Sequence, residues 1–158
     1  MAEQKTNVMR LLEQKKVKYI AHEYPHGDEA VDGVTVARLT GQNPQKVFKT
    51  LVLRGISKTI YVFVIPVESE LELKKAAKAA GEKSVAMIHV SEITALTGYV
   101  RGGCSPIGMR KQYKTYIHDS CLSLDTMIVS AGKIGYQIEL APQELIKLSR
   151  AMTADLTN

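Results

Sequence analysis

A single lysine in an apolar strand is the first candidate for chemistry. Lys49 lies in residues 47–53, VFKTLVL, whose β-branched and apolar residues predict a strand. Side chains alternate along a strand, so Lys49 shares one face with Leu51, and Thr50 lies on the other. The Lys49 ammonium then either reaches solvent along its aliphatic stem or points into a cleft. In a dry cleft it would hold a phosphate or carbonyl oxygen and stabilise developing negative charge.

Residues 98–108, GYVRGGCSPIG, are the most unusual segment, with four glycines and a proline. Glycine lets backbone N–H groups approach a ligand closely, as a carbonyl oxyanion or a phosphate requires. The segment therefore either presents such backbone N–H groups to a ligand or forms a tight reversal between strands. It has neither the Walker A ending nor a dinucleotide fingerprint. Ser130, in residues 130–133, either belongs to a plain hairpin turn or presents its hydroxyl to the cleft.

Cysteine and histidine offer weaker alternatives. A nucleophilic cysteine needs a base, and the sequence places none of its four histidines beside Cys104, so a small buried filler is the favoured role. His22 falls on a predicted strand and His26 in the next loop with Asp28, so the helical spacing of paired metal ligands does not apply. Cys104 and Cys121 alone form no disulfide framework and no zinc site. Neither a metal nor another cofactor is expected.

Caps and periodicity predict the elements that must position these residues. Helices are expected where a cap precedes apolar residues at helical spacing, and strands where β-branched residues cluster. One helix is expected to begin after Thr6, one to cover 34–40, and one to begin at Pro44 after the Asn43 cap. A fourth follows a capping box of Ser69 and Glu72 and ends at Gly81, a fifth covers 91–97, and the last begins at Pro142. The expected strands cover 18–24, 47–53, 59–65, 115–118, 126–130 and 136–140. Helices and strands are interspersed without a regular β-α-β order. This predicts an α+β fold in one domain, residues 1–158, around a mixed, mostly antiparallel curled sheet or barrel with surrounding helices.

Composition narrows the class of protein. No run approaches the roughly 18 apolar residues of a membrane span, and the start, MAEQKTNVMRLLEQKK, has no apolar run of a secretory signal. A cytoplasmic protein without a membrane partner is therefore expected. The formal net charge is +5, with the lysines spread through the chain. This indicates either a solvated lysine surface or a diffuse, salt-sensitive contact with a polyanion, and no motif that reads DNA bases is present.

Three motifs in a fixed order carry a resemblance to a known family. They are residues 48–51, FKTL, residues 98–108, and residues 129–133, VSAGK. With them, the chain resembles the YbaK/EbsC family of freestanding bacterial aminoacyl-tRNA deacylases, which are related to the editing insertion domain of bacterial prolyl-tRNA synthetase. The resemblance covers essentially the whole chain and is closest to the Cys-tRNA(Pro) deacylases. It implies the mixed α/β barrel of that editing domain.

The resemblance also implies roles for individual residues. Lys49 matches the essential lysine of the family, and Thr50 matches its neighbour. Gly102 matches the loop glycine whose backbone amide faces the scissile carbonyl, and Gly103 beside it is expected to bind the substrate. Tyr24 and Ser130 match residues of the substrate pocket. Charged tRNA is the implied partner, and docking on prolyl-tRNA synthetase is suggested, while the sequence leaves open whether the chain acts alone.

A cation and a glycine loop can bind an ester, but they supply no nucleophile. The sequence shows no paired carboxylates at a recognisable spacing, no Ser-His-Asp order and no metal set. That gap fits the substrate-assisted scheme implied by the resemblance, in which the thiol of the esterified cysteine attacks its own carbonyl and leaves as a cyclic thiolactone. Two rivals stay open: a non-catalytic module that binds a nucleotide or RNA end in the same basic cleft, and a general hydrolase that uses Cys104.

Overall fold

The computed structural model describes residues 5–27 and 29–158. Within them, helices and strands are interspersed along the chain, as the sequence predicts for an α+β fold. The helices are α1 Asn7–Gln14, α2 Gly33–Leu39, α3 Leu73–Ala80, α4 Ile93–Thr97 and α5 Pro142–Ser149, with short 3-10 turns at Pro44–Lys46, Val90–Glu92 and Asp119–Ser123. The strands are β1 Ile20–Glu23, β2 Phe48–Gly55, β3 Ile60–Pro66, β4 Val85–Met87, β5 Lys114–His118, β6 Met127–Ser130, β7 Tyr136–Leu140 and β8 Met152–Ala154.

The strands form two sheets, one of three strands in the order β1-β7-β6 and one of five in the order β4-β2-β3-β5-β8. Pairing in the smaller sheet is antiparallel, and β2 is antiparallel to β3 and β4, whereas β5 is parallel to β3 and β8. The predicted mixed, mostly antiparallel α+β fold is thus confirmed. The two sheets do not close into the barrel that the resemblance implies. A closed barrel has no edge strands, whereas the described sheets end at β1 and β6 and at β4 and β8. An isolated bridge between Val47 and Ile128 links the two sheets.

Strand β3 separates two parts of the core. Val62 and Val64 on one face belong to a cluster that also contains buried residues of α1, β6, β7 and α5. Tyr61, Phe63 and Ile65 on the other face pack with alanines of α3. All five side chains are buried, which follows from the period-two alternation of an almost continuously apolar strand. Each contributes on the order of 1.5–3 kcal/mol of hydrophobic stabilisation.

Most helix ends follow the predicted capping chemistry. The Thr6 hydroxyl accepts the Met9 N–H at the start of α1, and Gly81 ends α3 at φ +72°. The predicted capping box before α3 is wrong. Glu72 itself is the cap, accepting the Lys74 N–H, whereas the Ser69 N–H donates to the Pro66 carbonyl in a turn after β3.

Two short strands have no strong signal in the sequence. Strands β4 and β8 have three residues each and lie at the two edges of the larger sheet. Their exposed methionines, Met87 and Met152, follow from that edge position. Such short edge segments depend on their neighbours rather than on a pattern of their own. None of the described helices is long and apolar enough to cross a membrane.

Candidate active site

One cavity of about 870 Å³ collects most of the candidate residues. Its walls come from the edge of β2, the segment leading into α2, the glycine-rich loop and the β6–β7 hairpin. Five of the six site residues expected from the sequence line it, namely Tyr24, Lys49, Thr50, Gly102 and Ser130. Gly103 is not among the lining residues, and its role in binding stays a prediction.

Lys49 and Thr50 reach the same cavity from opposite faces of β2. Alternation along the strand points their side chains in opposite directions. Strand β4 pairs with β2 only at residues 53–55, and within the described chain the edge at residues 48–51 has no strand partner. The cavity lies along this open edge, so side chains from both faces border it. Lys49 is half-buried and forms no ion pair with any described residue.

The glycine-rich loop has a glycine where no other residue would fit. Gly102 has a φ of +85°, and a Cβ added there would lie 2.7 Å from the Cβ of Ala30 across the cavity wall. Positive φ and this close approach both require glycine. Among the described groups, the Gly102 N–H has no acceptor, whereas the Gly103 N–H donates to the Val100 carbonyl at 3.0 Å. The loop therefore offers the Gly102 N–H as a backbone donor, and the N–H groups of Val100, Arg101 and Cys104, which also line the cavity, likewise have no acceptor among the described groups.

The loop is held against the β6–β7 hairpin. A Cβ on Gly103 would lie 3.0 Å from the Ile134 nitrogen, so the two backbones are in direct contact. The Tyr99 hydroxyl donates to the Ile107 carbonyl across the loop, and a Cβ on Gly132 would lie 3.0 Å from the Tyr99 ring. Burial raises the pKa of Tyr99 to about 12, so this hydroxyl remains a donor at neutral pH. These contacts fix the position of the Gly102 donor.

Ser130 faces Gln137, a residue that sequence reasoning missed. The two are partners in the β6–β7 pair and both line the cavity. The Ser130 hydroxyl accepts the Gly132 N–H at 3.1 Å. Gln137 is only 7% exposed, and its Oε1, like Thr50 Oγ1, is buried without a hydrogen-bond partner in the described chain. The signal in the sequence is the alternation of YQIEL, which puts Gln137 and Glu139 together on one face of an otherwise apolar strand.

Glu139, on the same face, has partners from three other segments. Its carboxylate lies 2.7 Å from His22 Nε2 and 2.8 Å from Lys46 Nζ, and it accepts a hydrogen bond from the Thr126 hydroxyl. Burial would raise the pKa of Glu139, but hydrogen bonds from these partners outweigh it and lower the pKa to about 2. The cluster ties β1 and β7 to the turn Pro44–Lys46, which leads directly into β2.

The histidines weighed as metal ligands lie apart. His22 contacts Glu139, whereas the His26 ring packs edge-on against Tyr24 and Tyr136. Asp28 lies outside the described residues. In the described ranges no group of three or more His, Cys, Asp or Glu side chains could hold a metal ion.

Neither cysteine has the lowered thiol pKa of a catalytic nucleophile. Cys104 lines the cavity, and burial raises the pKa of its thiol to about 11 despite a hydrogen bond with Thr97. Cys121 lies in the core, and burial together with the Asp119 charge raises the pKa of its thiol to about 11. The reactive species is the thiolate, so both groups are almost fully protonated at neutral pH. The cavity thus combines the cations of Lys49 and Arg101, the exposed carboxylates of Glu29 and Asp32, backbone donors of the glycine-rich loop and neutral acceptors.

Comparison with known proteins decides the family. Residues 28–148 match the aminoacyl-tRNA editing domain. The chain belongs to this family. It is 46% identical over 155 residues to the proposed Cys-tRNA(Pro)/Cys-tRNA(Cys) deacylase EbsC of Enterococcus faecalis, covering 98% of this chain and 94% of that protein. The resemblance to the YbaK/EbsC family seen in the sequence is thereby confirmed.

More distant similarities, in sequence or in structure, also cover most of the chain. The chain is 26% identical over 113 residues to the uncharacterised protein YwhH of Bacillus subtilis, covering 72% of this chain and 71% of that one. A crystal structure of a proposed trans-editing enzyme for prolyl-tRNA synthetase superposes with a TM-score of 0.82 at 23% identity, covering 99% of each chain. A hypothetical protein of known structure superposes with a TM-score of 0.85 at 22% identity, covering 97% of this chain and all of the other. At identities this low, the two solved structures support the fold of this chain and nothing more.

Proposed function

We propose that this editing-domain protein acts in trans as a hydrolase of mischarged tRNA, with the aminoacyl ester of Cys-tRNA(Pro) as its substrate. The observation that carries the proposal is the cavity itself. It combines the half-buried Lys49 ammonium with the Gly102 N–H, which has no other acceptor in the described chain. The 46% identity to EbsC, which is named as a deacylase of Cys-tRNA, supports the choice of substrate.

The groups in the cavity divide the work of binding an ester. Lys49 would orient the ester or the terminal ribose-phosphate through its positive charge. The Gly102 N–H would donate to the carbonyl oxygen as that oxygen becomes an oxyanion, and this preorganised donor is worth most in a site that excludes water. Tyr24, Thr50 and Ser130 would line the pocket for the amino acid.

The substrate would supply the nucleophile that the protein lacks. The cysteine sulfur attacks its own carbonyl carbon and forms a C–S bond, the C–O bond to the ribose breaks, and the thiol proton ends on the ribose hydroxyl. The product is a cyclic thiolactone, which water then opens to free cysteine. Holding the thiol and carbonyl of one residue in the reactive geometry gives a large rate factor without a protein nucleophile. The high pKa of the Cys104 thiol supports a nucleophile that comes from the substrate rather than from the protein.

Recognition of the tRNA itself would be weak and mainly electrostatic. A net charge of +5 spread over the chain provides phosphate contacts whose strength falls with salt. Discrimination would then come from the amino-acid pocket or from prolyl-tRNA synthetase as a cytoplasmic partner. A non-catalytic module that binds RNA ends could use the same cavity, but membership of an editing family favours turnover.

The deciding experiment compares tRNA(Pro) charged with Cys, Ala, Ser or Pro. We expect Cys-tRNA(Pro) to be hydrolysed fastest and Ser-tRNA(Pro) at least about 100-fold more slowly, because a hydroxyl is essentially un-ionised where a thiol is partly thiolate. The variant Cys104→Ala with Cys121→Ala should keep the rate on Cys-tRNA(Pro). Since Cys121 is fully buried, Cys104→Ala alone provides the same test if the double variant is unstable.

Each outcome separates the alternatives. Equal rates on Cys and Ser esters would exclude the substrate thiol as nucleophile. Loss of activity in a folded Cys104→Ala variant would favour the general hydrolase instead. Binding of charged tRNA without any turnover would identify a binding module.

A further inference from the structure

Two residues that line the cavity each carry a buried polar atom without a partner. Thr50 Oγ1 on β2 and Gln137 Oε1 on β7 have no hydrogen-bond partner in the described part of the chain, and both residues line the cavity. Buried polar atoms are almost always hydrogen-bonded in folded proteins. An amide and a hydroxyl kept unpaired at the edge of a cavity are therefore expected to bind a ligand.

The unpaired atoms determine the kind of group they would accept. The amide oxygen of Gln137 is only an acceptor, and the Thr50 hydroxyl oxygen can accept as well. Ser130, the strand partner of Gln137, contributes a further hydroxyl oxygen to the cavity wall. The complementary group therefore carries several N–H or O–H donors in one place.

Within the esterified amino acid, only one group has this property. The ester oxygens are acceptors and suit the Lys49 ammonium and the Gly102 N–H. The ribose hydroxyl offers a single donor. The α-amino group, as an ammonium, offers three N–H donors, like the ammonium of a lysine side chain. The donors of the cavity thus match the ester oxygens, and its acceptors match the α-amino group.

Neighbouring carboxylates are already engaged or exposed. Glu139, two residues along the same face, is held by His22, Lys46 and Thr126. Asp32 caps α2 by accepting the N–H and the hydroxyl of Thr35, and Glu29, which also lines the cavity, is exposed to solvent. Among the described residues, the buried acceptor at this wall is therefore the neutral amide of Gln137.

We propose that Gln137, with Thr50, binds the free α-amino group of the esterified amino acid. This inference rests on the proposed deacylase function and deepens it. An acylated amino group keeps only one donor and adds bulk, so the site would select free aminoacyl esters and spare peptidyl-tRNA. Gln137 is thus a specificity-determining residue of the cavity.

The test uses paired substrates and one apolar replacement. The substrates are tRNA(Pro) carrying cysteine or 3-mercaptopropionate, which keeps the thiol and the ester but lacks the amino group, with N-acetylcysteine as a third ester. The variants are wild type, Gln137→Leu and, as a matched control, Gln45→Leu at an exposed glutamine. Comparing each variant on both esters cancels the intrinsic difference in ester reactivity.

We expect Gln137→Leu to lower kcat/KM on the cysteine ester about 10- to 100-fold, the range for one hydrogen bond to a charged group. Turnover of the 3-mercaptopropionyl ester should be unchanged, and discrimination against N-acetylcysteine should shrink. The melting temperature should stay the same or rise, because an unpaired buried amide is replaced by an apolar side chain of similar size. Gln45→Leu should match wild type on all three esters.

Two results would overturn the assignment. One is an equal loss on the cysteine and 3-mercaptopropionyl esters, which would make Gln137 a packing residue. The other is unchanged discrimination between the two esters in a folded Gln137→Leu variant. If wild type hydrolyses none of the esters, the proposed deacylase function fails, which is distinguishable from a failure of the Gln137 assignment alone.

Discussion

The same face of β7 carries two polar side chains in opposite situations. Glu139 is contacted by His22, Lys46 and Thr126, so its charge is fully paired. Gln137, two residues earlier, is equally well covered, yet its amide oxygen has no partner in the described chain. A polar group satisfied within the protein holds the fold together, whereas a buried one left unsatisfied is available for a ligand. Lys49 at the open edge of β2 and the Gly102 N–H in the glycine-rich loop are likewise without a partner in the described chain.

The comparison predicts the largest loss of activity at Lys49. Lys49→Ala should lower deacylation of Cys-tRNA(Pro) by about 100-fold or more, the usual effect of removing a group that stabilises developing charge. Thermal unfolding should be nearly unchanged, because Lys49 forms no ion pair with a described residue. Lys78→Ala, at an exposed lysine of α3, is the control. Activity within a few-fold of wild type in Lys49→Ala would remove Lys49 from the mechanism.

A smaller but still large effect is expected at Gly102. Gly102→Ala should lower activity about 10- to 100-fold, because the new methyl group would lie 2.7 Å from Ala30 and displace the backbone donor. Gly81→Ala provides a matched control, since Gly81 has a φ of +72° but open space around a Cβ. Both variants should lose about 1–2 kcal/mol of unfolding free energy from the positive φ, and only Gly102→Ala should lose activity. Equal activity in the two variants would contradict this role for the loop.

The paired carboxylate should show the reverse behaviour. Glu139→Gln should lower the free energy of unfolding by about 2–3 kcal/mol, measured by urea denaturation at pH 7, because Lys46 and His22 lose a nearly buried charged partner. Deacylation by the folded variant should stay within a few-fold of wild type. Glu70→Gln, at an exposed carboxylate, should change neither quantity. A stable but inactive Glu139→Gln variant would place Glu139 in the active site instead.

The pH dependence of stability tests the charge state of Glu139. The pKa of Glu139 falls from an ordinary value of 4.5 to about 2 in the folded protein. A lowered folded-state pKa stabilises the protein above the unfolded-state pKa, and that stabilisation disappears as the pH falls through the folded-state value. The difference in unfolding free energy between wild type and Glu139→Gln should therefore largely disappear as the pH falls from 4.5 to 2. A difference that stays constant over this range would show that the carboxylate is not held in its charged form.

Much of the site could be predicted from residue types and order. An isolated lysine within an apolar strand and a run of glycines are both unfavourable unless something requires them, and this is why Lys49 and Gly102 stand out. The alternation of YQIEL is a weaker signal for Gln137, because alternating polar residues are ordinary in a strand that faces solvent. Only the packing of β7 beneath the cavity makes its burial, and hence its missing partner, significant.

The amino-acid sequence by itself determined the α+β class, the hairpin of β2 and β3, most helix ends and the family, because these depend on local periodicity, caps and ordered motifs. The tertiary structure decided the rest. It divided the strands between two sheets, left the edge of β2 open beside the glycine-rich loop, and satisfied Glu139 while leaving Gln137 unpaired. These outcomes depend on contacts between segments far apart in the chain, such as His22 with Glu139, and no local pattern encodes which polar group will find a partner.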